Sequence, residues 1–235
     1  MIEFQHAAVA VPAQEGTATI LHPTALTLAE RRVSIIGANG SGKSTLARLV
    51  NGVVEPSAGS VAITTDRGRL DTVAHGAAVR REVGFVFSNP DAQLIMPTAA
   101  EDVALSLRRA HRDKRERRRA ALETLERFGL EALAERSVHT LSGGQKQLLA
   151  IASVLATDPA ILVADEPTTL LDLRNSRMIG ELLLSLPQQV VLVTHDLELA
   201  ARADRTLVID AGRVVFDGAP GEAVAHYRAL SEALS

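Results

Sequence analysis

Residues 37–44 run Gly37, Ala38, Asn39, Gly40, Ser41, Gly42, Lys43, Ser44, a complete match to the phosphate-binding pattern G-x-x-x-x-G-K-[ST]. Its flanks suit that chemistry. Val33 to Ile36 is apolar enough for a buried strand, and Thr45 to Val50 has the composition of a helix. Glycines at 37, 40 and 42 let the backbone curl so that successive N–H groups face phosphate oxygens, and the helix start adds partial positive charge. Lys43 would reach the β- and γ-phosphates, and the Ser44 hydroxyl would ligate Mg²⁺. A glycine-rich turn without a ligand is the plainer alternative, but it gives no reason for Lys43 and Ser44 to stand together at its end. Residues 37–45, Thr45 included, read as a site for a nucleoside triphosphate.

Two carboxylates form the second element. Ile161, Leu162, Val163 and Ala164 are a continuous apolar run that ends in Asp165 and Glu166. Such runs suit parallel sheets covered on both faces, and ligands of open parallel sheets gather at the C-terminal strand ends. Adjacent residues there point different ways, so Asp165 can hold Mg²⁺ while Glu166 polarises an attacking water. An acidic pair that merely caps the following turn is the alternative. Further upstream, Leu141 precedes Ser142, Gly143, Gly144 and Gln145. Ser142 with Gln145 three residues on makes a capping box, a sufficient reason for the pattern. The two glycines also leave N–H groups bare at a positive helix end, so a second anion site stays open beside it.

The elements that must position these residues alternate along the chain. Short strands joined by a turn at residues 12–16 lead to the strand ending at Ile36, and further strands are expected at 60–64 and 83–87. A helical pattern covers about 99–133, with Leu122, Leu125 and Phe128 as its apolar stripe, and a buried helix covers about 142–156. Strands at 161–164 and 190–193 alternate with helices near 173–185 and 196–203. A hairpin of 206–210 and 213–216 and a short helix close the chain. The pattern is an α/β core with a helical insertion. With 235 residues, 46% of them hydrophobic, the chain can bury a sizeable core and is not disordered. A net charge of −3 argues against a general nucleic-acid binder. There is no cysteine, hence no disulfide framework and no thiolate metal site. The N-terminus lacks the pattern of a signal peptide, and no apolar run approaches the ~18–20 residues that span a bilayer. A cytoplasmic protein that meets a membrane only from outside the lipid is expected.

The ordered set of motifs resembles the ATPase subunit of the ATP-binding-cassette family over essentially the whole chain. It comprises the phosphate loop, Leu141 to Gln145 about a hundred residues later, the strand ending Asp165-Glu166-Pro167, then Leu170-Leu171-Asp172, then Thr194-His195-Asp196. The resemblance implies a P-loop NTPase of the ABC ATPase type. Its RecA-like core sheet is mostly parallel, with an N-terminal antiparallel β subdomain and an inserted α-helical subdomain. The core would span 1–88 and 157–235, and the insertion about 89–156. It also implies a head-to-tail dimer, most simply of identical subunits, in which residues 142–145 of one copy close over the γ-phosphate held by Lys43 of the other. Asp172 would communicate across that interface. His195 would contact the γ-phosphate and position water with Glu166, although a satisfied strand-end histidine is the plainer reading of that residue.

Residues 88–98 with Glu101, Asp102, Val103 and Ala104 narrow the likeness to ATPases of energy-coupling-factor uptake systems. These import vitamins or cobalt and nickel ions in prokaryotes, docked at the cytoplasmic face on an integral membrane coupling subunit that also contacts a small substrate-binding membrane subunit. The short segment after the hairpin most resembles the biotin system, with cobalt or nickel as the second reading. A regulatory, non-transport ATPase with weak hydrolysis is the reading of another class. Ser88 stands where the family places a glutamine that contacts Mg²⁺ and the attacking water; Gln93 is a candidate substitute. Residues 108–119 hold eight Arg or Lys and two acids, which fits a solvated helical face or an attraction to anionic head groups. The family also stacks an aromatic ring on adenine near position 11, where this chain has Val11. Base discrimination should therefore be weak. Fluorescent-nucleotide displacement is expected to give similar affinities for ATP and GTP, and a large preference for ATP would contradict that reading.

Overall fold

The computed structural model describes residues 1–13 and 16–233. The chain opens with two long antiparallel strands, β1 (Ile2–Pro12) and β2 (Thr17–Leu28), where short strands are expected from the sequence. Register shifts between Phe4 and Ala7 and again around Val9 bend the pair, so it curves without ending. The turn expected at residues 12–16 contains residues 14 and 15, which lie outside the described residues. Next come β3 (Arg32–Ile36), α1 (Lys43–Val50), β4 (Ala58–Thr65), β5 (Gly68–Asp71), α2 (Gly76–Glu82) and β6 (Val83–Val86). Neither β5 nor α2 was legible in the sequence, because neither carries an apolar run or a clear period. Strands β2, β1, β4 and β5 form one antiparallel sheet in that order.

The rest of the chain gives α3 (Ala99–Ser106), α4 (Lys114–Arg127), α5 (Gly143–Leu155), β7 (Ile161–Asp165) and α6 (Leu173–Ser185). It ends with β8 (Gln189–Val193), α7 (Leu197–Ala200), β9 (Arg205–Asp210), β10 (Arg213–Gly218) and α8 (Pro220–Ala233). A six-stranded sheet runs β10-β9-β3-β8-β7-β6, parallel in every pairing but the terminal hairpin. The mixed α/β architecture agrees with the expected fold class. Ile35, Val163, Val191 and Leu207 on this sheet join Ile2, Leu28, Leu46 and Ile63 in one buried core.

Two expectations in the helical segment are corrected. The pattern over 99–133 is broken into α3 and α4. Arg108, Arg109 and Arg112 crowd like charges into the break, and Asp113 starts a new helix by accepting from the N–H groups of Arg115 and Glu116. One member of the expected stripe is also replaced, for Leu125 is buried and Phe128 packs against the same cluster but Leu122 does not. Ala121 and Leu125 face inward, whereas Leu122 is 38% exposed, because the small Ala121 lets α4 approach its neighbours. Leu94, Val103, Leu125 and Leu149 centre a second buried cluster of this segment. Among the described residues no helix is long and apolar enough to cross a membrane.

A buried carboxylate ties this segment together. Asp102, 5% exposed, accepts from the backbone N–H groups of Ile95 and Met96 and from the Ser153 hydroxyl on α5. Asp102→Ala strands two part-buried N–H donors and one buried hydroxyl and should cost about 2–4 kcal/mol, read as the shift in urea unfolding free energy, with Ser153→Ala nearer 1 kcal/mol.

Candidate active site

The phosphate loop hangs between the end of β3 and the start of α1. Gly37 has φ +149°, and a Cβ there would lie 2.1 Å from the Ile209 carbonyl oxygen, so a side chain is excluded. Ser41 N–H closes a turn onto the Ala38 carbonyl at 3.2 Å, and the Ser41 carbonyl accepts from Gly212 N–H at 2.8 Å. The loop is thus braced by the β9–β10 turn. Lys43 donates from Nζ to the carbonyls of Gly37 and Ala38, both at 2.8 Å, which draws its ammonium across the loop. Burial pulls the Lys43 pKa below its usual value, and Glu166 and Asp165 oppose that shift.

Parallel pairing puts the chemistry of three strands at one edge. Asp165 pairs with Val193 on β8, and Ile35 of β3 pairs with Val193 from the other side. Ser44 Oγ donates to Asp165 Oδ1 at 2.7 Å, and Arg48 Nη2 donates to Asp165 Oδ2 at 3.1 Å. A carboxylate and a hydroxyl side by side are hard oxygen donors of the type Mg²⁺ takes. No group of three or more His, Cys, Asp or Glu able to hold a metal occurs among the described residues. The phosphate seat fits as well, since the buried Ser41 Oγ has no partner among the described residues and the open flank of Gly40 leaves room for oxygens.

Glu166 adopts φ +53°, a conformation that costs a non-glycine residue about 1–3 kcal/mol. Its N–H bonds the Val193 carbonyl at 3.0 Å, which fixes the turn and aims the side chain away from Asp165. Glu166 Oε2 accepts from Thr169 Oγ1 at 2.9 Å and lies 2.7 Å from His195 Nδ1. A carboxylate held by a hydroxyl and an imidazole is well placed to take a proton from water.

The other candidates group elsewhere. Ser142 caps α5, its Oγ accepting from Gln145 N–H while Gln145 Oε1 accepts from Ser142 N–H, so the capping box is formed. Gly144 packs against the start of α6, where a Cβ would fall 2.5 Å from Asn175 Cγ. Asp172 caps α6 through Asn175 N–H at 2.8 Å and also accepts from Asn175 Nδ2, and the N–H bond holds its carboxyl below the usual range. Residues 142–145 make no hydrogen bond to the phosphate loop within the chain. Ser88 is half-buried and its hydroxyl makes no hydrogen bond among the described residues. Gln93 is not free to replace the missing glutamine: it accepts from Phe87 N–H and donates to the Phe85 carbonyl, bracing the end of β6. Sequence reasoning missed Arg48 and Thr169. Arg48 stands four residues after Ser44, on the same helix face, which was its one signal.

Residues 21–169 match the family model described as ABC transporter. A putative ABC transporter ATP-binding protein of Deinococcus radiodurans is 45% identical over 228 residues, 97% of each chain. The biotin transport ATP-binding protein BioM of Rhizobium etli is 42% identical over 230 residues, 98% of this chain and 99% of BioM. A solved dimer of the ATP-binding cassette MJ0796, in a post-hydrolysis state bound to ADP and Pi, superposes with a TM-score of 0.82 at 33% identity. That match covers 94% of this chain and 99% of the cassette.

The two loop glycines separate two costs. Gly37→Ala should destabilise by more than about 3 kcal/mol because it meets backbone. Gly40→Ala should cost only about 1 kcal/mol, since φ is +78° there but nothing lies within 4 Å. Thermal unfolding of both variants measures the difference.

Proposed function

This chain belongs to the ABC transporter family as an ATP-binding, ATP-hydrolysing subunit, and we propose that the transport it powers is micronutrient uptake, of biotin, through an energy-coupling-factor system. The observation that carries the site is the edge where Ser44 meets Asp165 and Glu166 meets His195 at 2.7 Å each. Residues 37–45 cradle the triphosphate with backbone N–H groups, and Lys43 turns from its own loop carbonyls to the β- and γ-oxygens. Ser44 and Asp165 would hold Mg²⁺, with Ser88 as a third candidate ligand. The bound ion would neutralise charge at the β- and γ-phosphates. Glu166, oriented by Thr169 and His195, accepts the proton of the attacking water. Positioning and charge neutralisation supply most of the catalysis.

Residues 142–145 make no hydrogen bond to the phosphate loop of their own chain, which supports a sandwich in which Ser142, Gly143, Gly144 and Gln145 face the nucleotide of a second ATPase subunit, identical in the simplest case. Asp172 beside them would then lie at the same seam. In this reading 1–88 and 157–235 form the nucleotide-binding core and 89–156 the helical insertion. An integral membrane coupling subunit and a small substrate-binding membrane subunit dock from the membrane side, and this subunit stays peripheral at the cytoplasmic face. Biotin rests on the likeness to BioM over nearly the full length of both chains. Cobalt, nickel or another vitamin is the second cargo. Weak hydrolysis in a regulatory role is favoured only by the partnerless Ser88.

Glu166→Gln should bind ATP with near-wild-type affinity, dimerise in light scattering and lose turnover by about 10²–10⁴-fold. Lys43→Ala should lose nucleotide binding. With the co-purified membrane subunits in liposomes, labelled biotin uptake should require ATP and vanish in Glu166→Gln. Retained wild-type hydrolysis in that variant would remove Glu166 from the mechanism, and uptake of Co²⁺ but not biotin would change the cargo.

A further inference from the structure

Helix α1 grips both oxygens of Asp165. Ser44 and Arg48 stand one helical turn apart, which sets the hydroxyl on Oδ1 at 2.7 Å and the guanidinium on Oδ2 at 3.1 Å. Hydrolysis as described above uses Ser44 and Asp165, and Arg48 has no part in it. Yet Arg48 places a positive charge on the carboxylate that would hold a divalent cation. A like charge so near weakens the hold on that ion.

Bracing of the fold is a poor reason for this contact. Elsewhere in the molecule arginine pairs through both arms of its fork. Arg205 meets Asp217 with two bonds of 2.6 Å, and Arg202 meets Glu181 at 2.6 and 2.9 Å. Arg48 reaches Asp165 with Nη2 alone, and its buried Nε has no partner among the described residues. Its side chain is 40% exposed, over a carboxylate side chain that is 3% exposed. Nor does Arg48 serve the C-terminal end of α1, since its guanidinium bonds none of the last carbonyls. What this loose, single contact supplies is charge.

The charges at this edge balance. Asp165 and Glu166 are negative, Arg48 and Lys43 positive, and Lys43 feels both carboxylates while the Gly37 and Ala38 carbonyls hold its ammonium. Free Mg²⁺ gives up hydration water reluctantly, and a neutral seat offers it little in exchange. A triphosphate brings several negative charges to the same place and tips the balance. We infer that Arg48 is the counter-charge that keeps Asp165 and Ser44 from taking up Mg²⁺ alone, so that the ion is retained only together with the phosphates of the nucleotide. Arg48 is then a positioning residue that sets the order of loading. This rests on the reading of Ser44 and Asp165 as the Mg²⁺ donors.

The probe is Mn²⁺, a paramagnetic stand-in for Mg²⁺, followed on the full chain by water-proton relaxation, which rises when a protein carries the ion. The unaltered chain should bind Mn²⁺ at least about 10-fold more weakly alone than with a non-hydrolysable ATP analogue. Arg48→Gln should tighten binding without nucleotide by at least about 10-fold, with Arg48→Lys within about 3-fold of the unaltered chain. Arg118→Gln, which removes the same charge from the helical segment, should change it less than about 2-fold. Asp165→Asn added to Arg48→Gln should abolish the gain. Mg²⁺ without nucleotide should raise the melting temperature of Arg48→Gln and leave that of the unaltered chain in place, a response that a packing role would not give. Arg48→Met, which keeps the aliphatic stem, takes the place of Arg48→Gln if that variant does not fold. Nucleotide-free binding that is unchanged or weaker in the Arg48 variant overturns the proposal. So does binding to the unaltered chain that is as tight without the analogue as with it. No relaxation change in the unaltered chain with the analogue present overturns the Mg²⁺ reading itself, and this proposal with it.

Discussion

Parallel pairing of β3, β8, β7 and β6 is the constraint on which the site depends. Parallel strands all end on the same edge, so each can deliver a side chain or loop there, and the register decides which ones meet. Because Val193 sits opposite both Ile35 and Asp165, the loop after β3, the acidic end of β7 and the loop after β8 converge. Slipping β7 by one residue would exchange the inward Asp165 for Glu166 and undo the contact with Ser44. The strands hold that register through Val, Ile and Leu buried on both faces, which is why those segments are apolar without interruption.

Much of this was readable before any coordinates. The phosphate loop declares itself because a strand, a glycine turn, a lysine and a helix must be consecutive, and the capping box of Ser142 and Gln145 is a local pattern with a local cause. What was hidden is non-local. Arg48 bonding Asp165 joins residues 117 apart, and the inward face of α4 was misplaced because Ala121, not Leu122, touches its neighbours. Gln93 shows the opposite error: a residue of the right type, in the right loop, proves to be engaged in holding a strand end.

The strain at Glu166 belongs with these non-local effects. Nothing in an acidic strand end announces a positive φ, yet that backbone turns two neighbouring carboxylates to different partners, one toward Ser44 and Arg48, the other toward His195 and Thr169. Two adjacent acids sharing one direction would repel each other and compete for the same cation. The left-handed residue separates them at a cost the surrounding hydrogen bonds can offset.

Helix α5 is moored at three points along its length. Lys146 pairs with Asp91 at 2.7 Å, Gln147 donates to the Phe87 carbonyl at 3.3 Å, and Ser153 donates to Asp102 at 3.1 Å. The first two moorings are to the stretch that follows β6, and the third joins α3. A rigid rod tethered this way behaves as a rocker arm: a push on residues 87–91 tilts the whole rod, and the glycine tip at 143 and 144 travels with it. A handful of side chains thus already couples the stretch after β6 to the helix start beside it.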